Sequence, residues 1–226
     1  MKEHQYRKGK MMKLYVYEHC PYCIKARMIL GFKKIHFTLK YLLNDEEKFL
    51  LDLVGTKVVP VLEKDDGTAM TESLDIIDYI DNLDNPIILG KQDFRIQQWL
   101  LTLGDNWPKL SRPHYVLAPF PEFKTQKAID YFTRKKESNL EVSFEELRKH
   151  STKYIAHINK CLVNLETLIE NDCAVNGILS LDDFHLFPEL RNMTLFKGIR
   201  FPNKVLAYVR NLSDLSQIPL LYDYSL

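Results

Sequence analysis

The first part of the chain begins with a segment typical of a strand and continues with a segment typical of a helix. Residues 13–17 form a short run of aromatic and β-branched side chains, which predicts a strand. Residues 24–30 contain no helix breaker, so they predict a helix that ends with Gly31 as its C′ residue. A strand followed directly by a helix leaves the short segment between them as a tight turn.

The next apolar positions predict a second strand, a short helix and a third strand. Residues 35–43 alternate between apolar and polar side chains, which is typical of a strand. A short helix is expected from Asn44 or Asp45 to Gly55. Residues 56–63 are mostly apolar but contain Pro60, which has no N–H for a ladder and must lie at the start or the edge of a strand.

A hairpin and a further helix complete the first part of the pattern. Residues 65–67 (Asp-Asp-Gly) predict a turn that returns through residues 68–70. Thr71, Glu72 and Ser73 offer caps for a helix over the apolar positions that follow. The order β-α-β-α-β-β-α, with a right-handed crossover between its first strands, is a thioredoxin-like layout.

The rest of the chain has helical periodicity. Residues 82–86 are a cluster of turn formers and mark a boundary. The expected organisation is an N-terminal extension over 1–11, a first domain over 12–83, a linker over 84–92 and an all-α domain over 93–226.

Prolines predict where the helices of this second domain end and begin. One helix is expected to stop at Trp107-Pro108, and Pro113 and Pro119 to divide the next stretch into turns. Pro121 is expected to open the following helix.

Capping boxes predict two more helix starts. Ser143 precedes a long apolar stripe that reaches residue 169 and places Cys161 in the core, with Cys173 near the helix end. Ser180 with Asp183 predicts the start of a buried helix, and a last helix is expected from about Asn203. Neither Cys161 nor Cys173 is assigned a catalytic role.

Two cysteines lie at the turn between the first strand and the first helix. In Cys20-Pro21-Tyr22-Cys23 the proline suits the first helical turn, which places Cys20 at the helix N-terminus. Free N–H groups and the helix dipole there lower a thiol pKa from about 8.5 into a range of roughly 3.5–7.5. Cys23 follows one turn later on the same face. The pattern indicates a redox site with Cys20 as nucleophile and Cys23 as resolving thiol.

Two other uses of this pair of cysteines are less well supported. A zinc site needs a second pair of ligands, but Cys161 and Cys173 are twelve positions apart and no histidine pair has ligand spacing nearby. A structural disulfide across so short a loop would stabilise little. We therefore expect no metal.

The composition indicates which compartment and which classes of partner to expect. The 226 residues carry a net charge of +1 and 27% charged side chains, which gives no general attraction to nucleic acid or to an anionic membrane. Four cysteines do not make a secreted disulfide scaffold, so we expect a cytoplasmic protein. No apolar run approaches the ~20 residues of a membrane span. Residues 1–11 are basic but lack a signal-peptide core, and we expect a disordered or non-native extension that precedes Met11 or Met12 as the natural start.

Three short motifs together resemble a known family. Cys20-Pro21-Tyr22-Cys23, Val59-Pro60 and Glu72-Ser73, in this order and spacing, look like a glutaredoxin domain of the glutathione-transferase-like superfamily. With the helical second half, the chain from about Met12 to its C-terminus is similar to two-domain bacterial glutaredoxins. The resemblance implies a thioredoxin-like domain followed by an all-helical glutathione-transferase-like domain.

The resemblance also implies a glutathione site. Pro60 would be a cis-proline facing the thiols and would leave the Val59 backbone free to pair with the cysteinyl part of glutathione. Ser73 and the first N–H groups of its helix would hold the γ-glutamyl carboxylate, and Glu72 the ammonium. Without the resemblance, Glu72-Ser73 would be an ordinary helix cap.

Three further positions around the thiols have two interpretations each. Lys57 either reaches the glycyl carboxylate or is a solvated loop lysine, and Tyr22 either lines the pocket or packs beside the cysteines. His19 lies in the region where many one-domain glutaredoxins carry a lysine, and it either lends positive charge to Cys20 or, like most flanking histidines, is simply exposed.

The predicted activity is a glutathione-dependent thiol-disulfide oxidoreductase. Its substrates would be disulfide-containing or glutathionylated proteins, with glutathione as co-substrate and the chain acting as a monomer. The alternatives are a glutathione S-transferase or dehydroascorbate reductase on the same fold, and a non-enzymatic interaction module. The second thiol, Cys23, favours the oxidoreductase over all of these.

Overall fold

A small mixed sheet and a longer series of helices make up the part of the chain that the structure, a computed structural model, describes, residues 11–226. The expected extension over 1–11 lies outside the described residues apart from Met11. The strands are β1 (Lys13–Val16), β2 (Thr38–Tyr41), β3 (Val61–Glu63) and β4 (Ala69–Met70). The helices are α1 (Pro21–Phe32), α2 (Glu47–Val54), α3 (Ser73–Asp81), α4 (Phe94–Thr102), α5 (Asn106–Tyr115), α6 (Gln126–Leu140), α7 (Phe144–Lys149), α8 (Ser151–Glu166), α9 (Leu181–Met193) and α10 (Asn203–Ser216), with 3₁₀ turns at Pro121–Phe123 and Tyr222–Tyr224.

The sheet has the strand order β2-β1-β3-β4. β1 runs parallel to β2, with Leu14 opposite Leu39, and antiparallel to β3, with Leu14 opposite Leu62. The parallel pair requires the crossover through α1, so the order predicted from the sequence is confirmed. β1 is thus the central strand on which the turn to Cys20 is built.

Helix α1 lies at the centre of the molecule. It packs against α3 of its own domain and against α9 and α10 of the helical domain, and it is buried along most of its length. The expectation that Gly31 ends this helix was wrong, because Gly31 lies inside α1. A Cβ built on Gly31 would lie 1.9 Å from the carbonyl oxygen of Ser216, so the glycine permits a close approach of α10.

Prolines interrupt the helical domain less than the sequence predicts. α4 already ends at Thr102, and Trp107 and Pro108 lie in the first turn of α5, where a proline costs no hydrogen bond. Pro113 lies inside the same helix. Pro121 opens only a 3₁₀ turn, and α6 begins later, where Thr125 accepts a hydrogen bond from the N–H of Ala128 at 3.2 Å.

The long helix predicted after Ser143 is two helices. Ser143 accepts from the N–H of Glu146 at 3.2 Å, as the capping pattern predicts, but the chain leaves helical geometry at His150 (φ −102°, ψ 9°). The apolar stripe continues across this break, so periodicity alone did not show it. The capping box of Ser180 and Asp183 at the start of α9 is present as predicted.

Cys161 lies in the core of the helical domain, as the apolar stripe predicts. Cys161 is buried in α8 and Cys173 is exposed after its end. Within residues 11–226, all the regular elements after residue 93 are helical. None of the described helices is long and apolar enough to cross a membrane.

Candidate active site

Cys20 is the N-cap residue of α1. Its backbone is extended (φ −76°, ψ 116°) and Pro21 takes the first helical position, so the thiol lies beside the free N–H groups of the first turn. Both thiols are free. Cys20 is 8% exposed, whereas Cys23 is fully buried beneath it. The outer thiol is therefore the one that a substrate can reach.

The two thiols differ in acidity. A hydrogen bond from the Cys23 side chain lowers the pKa of Cys20 against the effect of burial, and backbone N–H groups of Cys23 and Tyr22 act in the same direction. Burial and the same thiol–thiol hydrogen bond raise the pKa of Cys23 well above its ordinary value. This arrangement favours a thiolate on Cys20 and a protonated thiol on Cys23.

Two adjoining cavities meet at Tyr22, Lys57 and Val59. The smaller has a volume of about 330 Å³ and the larger about 470 Å³. Cys20 lines the larger cavity, and Cys23 lies below it, outside the lining of either. The smaller cavity brings together all the residues that the resemblance assigns to glutathione: Tyr22, Lys57, Val59, Pro60, Glu72 and Ser73.

The backbone around the smaller cavity has two unusual conformations. The Val59–Pro60 peptide bond is cis, as the resemblance implies. Glu72 has a φ of 63°, which is uncommon for a residue with a side chain. Its carboxylate makes no capping hydrogen bond to α3, so the interpretation as an ordinary cap is not what the structure shows. Ser73, the first residue of α3, is buried.

Lys57 is held between the two domains. Its Nζ donates to the carbonyl of Asn44 at 2.6 Å, lies 3.6 Å from a Glu47 carboxylate oxygen, and is 3.6 Å from the centre of the Tyr131 ring. Burial lowers the pKa of Lys57 to about 8, although Glu47 acts in the opposite direction. The interpretation as a freely solvated lysine was therefore wrong. Tyr22, by contrast, is 57% exposed at the rim of both cavities.

The helical domain supplies a cationic wall to the larger cavity. Arg112 of α5 and Lys135 and Lys136 of α6 line it. Within residues 11–226 no carboxylate forms an ion pair with any of the three. Burial lowers the pKa of Lys136, and so do Arg112 and Lys135. Helical periodicity shows which face of α6 is apolar but not that its cations face Cys20, so the sequence analysis missed this wall.

The interpretation of His19 as an exposed histidine was wrong. His19 is only 9% exposed and its Nδ1 lies 2.5 Å from Oε1 of Glu122, in the 3₁₀ turn of the helical domain. The rings of Tyr115, Phe123 and Phe132 surround it. The segment before Cys20 is thus buried by the second domain, whose approach leaves no signal in the local sequence.

Comparisons with known proteins agree with this architecture. The family model described as the C-terminal domain of glutaredoxin 2 matches residues 95–225, and the model of the glutathione S-transferase N-terminal domain matches residues 14–87. Glutaredoxin 2 of Escherichia coli (strain K12) is 46% identical over 211 residues, which cover 93% of this chain and 98% of that protein.

Solved structures give the same result. The crystal structure of glutaredoxin 2 from Salmonella typhimurium in complex with glutathione has a TM-score of 0.93 and 44% identity, covering 95% of this chain and 99% of that one. Glutathione transferase Omega 3C from Trametes versicolor, with a TM-score of 0.57 and 20% identity over 96% and 92% of the two chains, shares the fold alone. The chain, with its paired thiols at the N-terminus of α1, belongs to the glutaredoxin 2 family.

Proposed function

We propose that this protein is a glutathione-dependent thiol-disulfide oxidoreductase that reduces protein disulfides and glutathione mixed disulfides through Cys20 and Cys23. The observation that carries the proposal is the difference between the two thiols. Cys20 is at a helix N-terminus with a lowered pKa, and Cys23 is buried behind it with a raised one. A two-step disulfide exchange requires a thiolate for the first attack and a second, protonated thiol that resolves the mixed disulfide.

The exchange transfers two electrons from the Cys20–Cys23 dithiol to the substrate disulfide. The Cys20 thiolate attacks one sulfur of the substrate disulfide, and the other sulfur leaves with the bonding electron pair and takes a proton. Cys23 then loses its proton and attacks Cys20, which releases the second substrate thiol and forms the Cys20–Cys23 disulfide. Two glutathione molecules return the two electrons through a mixed disulfide on Cys20, and glutathione disulfide leaves.

The smaller cavity is the proposed glutathione site. The backbone of Val59 beside cis-Pro60 would pair with the cysteinyl part, and Ser73 with the first N–H groups of α3 would bind the γ-glutamyl carboxylate. Glu72 would bind the ammonium, and Lys57, which lines the same cavity, would bind the glycyl carboxylate. The crystal structure of the Salmonella typhimurium relative in complex with glutathione supports glutathione as the ligand.

The remaining parts of the proposal concern the setting of the reaction. We propose disulfide-containing and glutathionylated proteins as substrates, since Cys20 lies in an open cavity of about 470 Å³ next to the glutathione site. We also propose that the protein acts as a monomer in the cytoplasm. The free thiols of Cys20, Cys23, Cys161 and Cys173 suit a reducing compartment.

Single-cysteine variants test the proposal. Cys20→Ser should abolish the reduction of both a glutathionylated peptide and a protein disulfide. Cys23→Ser should keep the first reaction, which needs one thiol, and lose the second, which needs two. Cys173→Ser, at an exposed thiol outside the site, is the matched control and should react like the wild type.

Two outcomes would contradict it. If Cys23→Ser reduced the protein disulfide at the wild-type rate, Cys23 would not be the resolving thiol. If the wild type conjugated glutathione to an electrophile faster than it reduced the mixed disulfide, the protein would be a transferase.

A further inference from the structure

The helical domain binds the backbone of both residues that precede Cys20. Glu122 accepts hydrogen bonds from the N–H of Glu18 at 3.1 Å and from the N–H of His19 at 3.0 Å. On the other side of the segment, Arg191 donates to the carbonyl of Glu18 at 3.1 Å and Asn192 to the carbonyl of His19 at 2.7 Å. Both N–H groups and both carbonyls of this segment therefore have partners from the second domain.

Glu122 differs from the other partners because it carries a negative charge next to the nucleophile. Its side chain is fully buried, and it also accepts a hydrogen bond from Nδ1 of His19 at 2.5 Å. Its own backbone carbonyl accepts a hydrogen bond from the N–H of Asn44 at 3.0 Å, which fixes the 3₁₀ turn against the first domain. The carboxylate is thus fixed against His19, the residue that directly precedes Cys20.

We propose that Glu122 is a positioning residue that orients the peptide groups before Cys20 and, through its charge, makes the Cys20 thiolate less stable than the helix N-terminus alone would make it. This inference rests on the proposed role of Cys20 as the nucleophile. It assigns to the helical domain a direct influence on the reactivity of the dithiol.

The influences on the pKa of Cys20 agree in direction with this proposal. The hydrogen bond from Cys23 is the largest influence on the lowered pKa of Cys20, and burial and the charge of Glu122 both oppose it. Glu122 is a smaller influence than the hydrogen bonds and the burial of Cys20, but a buried carboxylate acts on a neighbouring thiolate more strongly than it would in water, because little water lies between them. Besides Cys23, His19 and Glu122, the titratable side chains that face Cys20 are Tyr17 of β1, Tyr22 and Lys25 of α1, Lys57 before cis-Pro60, Arg112 and Tyr115 of α5, Tyr131, Lys135 and Lys136 of α6, and Glu189 of α9.

Two substitutions of Glu122 separate an effect of its hydrogen-bond geometry from an effect of its charge. We call Glu122 with its hydrogen bonds to Glu18 and His19 the clamp. Glu122→Gln removes the charge and keeps the length of the side chain, whereas Glu122→Asp keeps the charge and withdraws it from the hydrogen bonds. A clamp that acts only through geometry is disturbed by both substitutions. A clamp that acts through its charge changes the acidity of Cys20 in the Gln variant and much less in the Asp variant.

The test is the rate of Cys20 alkylation by iodoacetamide as a function of pH, measured with Cys23 present. We expect Glu122→Gln to move the midpoint to lower pH, so that the rate well below the wild-type midpoint rises roughly tenfold. The Cys20–Cys23 pair of this variant should also become more oxidising against glutathione, since a stabilised thiolate stabilises the reduced form. Glu166→Gln is the control, because this carboxylate accepts a backbone N–H from Lys204 of α10 instead of from the active-site segment.

Three results would overturn the inference. One is an unchanged midpoint in folded Glu122→Gln, and another is an equal shift in Glu122→Asp. The third comes from a second variant.

If Glu122→Gln does not fold, His19→Phe replaces it, since the neighbouring rings accommodate an aromatic side chain and only the Nδ1 contact is lost. The Glu122 carboxylate then loses one hydrogen-bond donor, so its charge should act more strongly on Cys20 and the midpoint should rise. A midpoint that stays or falls contradicts the proposal. Should the wild type itself show no acidic thiol, the proposed function fails instead.

Discussion

Arg191 of α9 donates to the backbone carbonyl of Glu18 at 3.1 Å, and its guanidinium forms an ion pair with the carboxylate of the same residue. Arg191 is fully buried, and Arg27 of α1 lies 2.9 Å from the other carboxylate oxygen. The pair joins residues 173 positions apart. It fixes α9 against the segment that precedes Cys20. The same ion pair therefore holds the two domains together and positions the backbone next to the nucleophile.

Removing this carboxylate should destabilise the protein at neutral pH. Glu18→Gln leaves the Arg191 guanidinium buried without its counter-ion, and we expect a loss of about 3–5 kcal/mol in the free energy of unfolding by urea. Glu146→Gln, at an exposed carboxylate paired with Lys149, is the control and should show no resolvable change.

The pH dependence of the same variant has a definite sign. Burial acts to raise the pKa of Glu18, but Arg191 and Arg27 bring it below its ordinary value. A lowered carboxyl pKa stabilises the folded state above the unfolded pKa of about 4.3, and this contribution is lost as the pH falls through the folded pKa. The gap between wild type and Glu18→Gln should therefore narrow in acid, and a gap that widens there would contradict this account.

The hydrogen bond between the thiols gives a prediction for Cys23. Cys23→Ala removes the donor that lowers the pKa of Cys20, so the alkylation midpoint of Cys20 should rise. Cys23→Ser keeps a hydroxyl donor and should retain more of the acidity. The measurement is the iodoacetamide rate against pH in both variants. If the Ala variant kept the wild-type midpoint, the Cys23 hydrogen bond would not contribute to the acidity of Cys20.

Lys57 should make glutathione binding depend on pH. Burial lowers its pKa to about 8, so above this pH it loses the charge proposed to bind the glycyl carboxylate. Calorimetry of S-methylglutathione binding to a Cys20→Ser background avoids the thiol titrations. We expect the affinity to fall above pH 8 with Lys57 present. Lys57→Arg, whose charge persists, should keep its affinity to higher pH, and Lys57→Gln should bind weakly throughout. If all three variants showed the same pH profile, Lys57 would not bind the ligand.

Gly31→Ala should separate α1 from α10. Its Cβ would lie 1.9 Å from the Ser216 carbonyl oxygen, which is backbone and cannot move aside like a side chain. We expect a loss of about 1–3 kcal/mol in thermal or urea unfolding, despite the better helix propensity of alanine. Gly198→Ala is the matched comparison, because its Cβ would meet only the Ile155 side chain at 3.1 Å. It should cost less, and a larger loss at Gly198 than at Gly31 would contradict the close-approach argument.

Features that depend on near neighbours in the chain were predictable. The turn at Cys20-Pro21, the hairpin after β3 and the capping box of Ser180 with Asp183 are all satisfied by contacts within a few residues. Periodicity also gave the buried positions of most helices. It failed at Gly31, which local rules place at a helix end although it contacts Ser216, and at His150, where the apolar stripe continues across a break.

The sequence by itself determined the paired thiols and the strand–turn–helix unit that presents them, because the spacing of cysteine and proline sets that geometry locally. Resemblance added the glutathione-binding positions. Only the tertiary structure decided what surrounds the thiols: Glu122 and Arg191 reach the segment before Cys20 from 103 and 173 positions away. Such contacts depend on how the two domains dock, and a buried charge at the docking surface has no local sequence pattern.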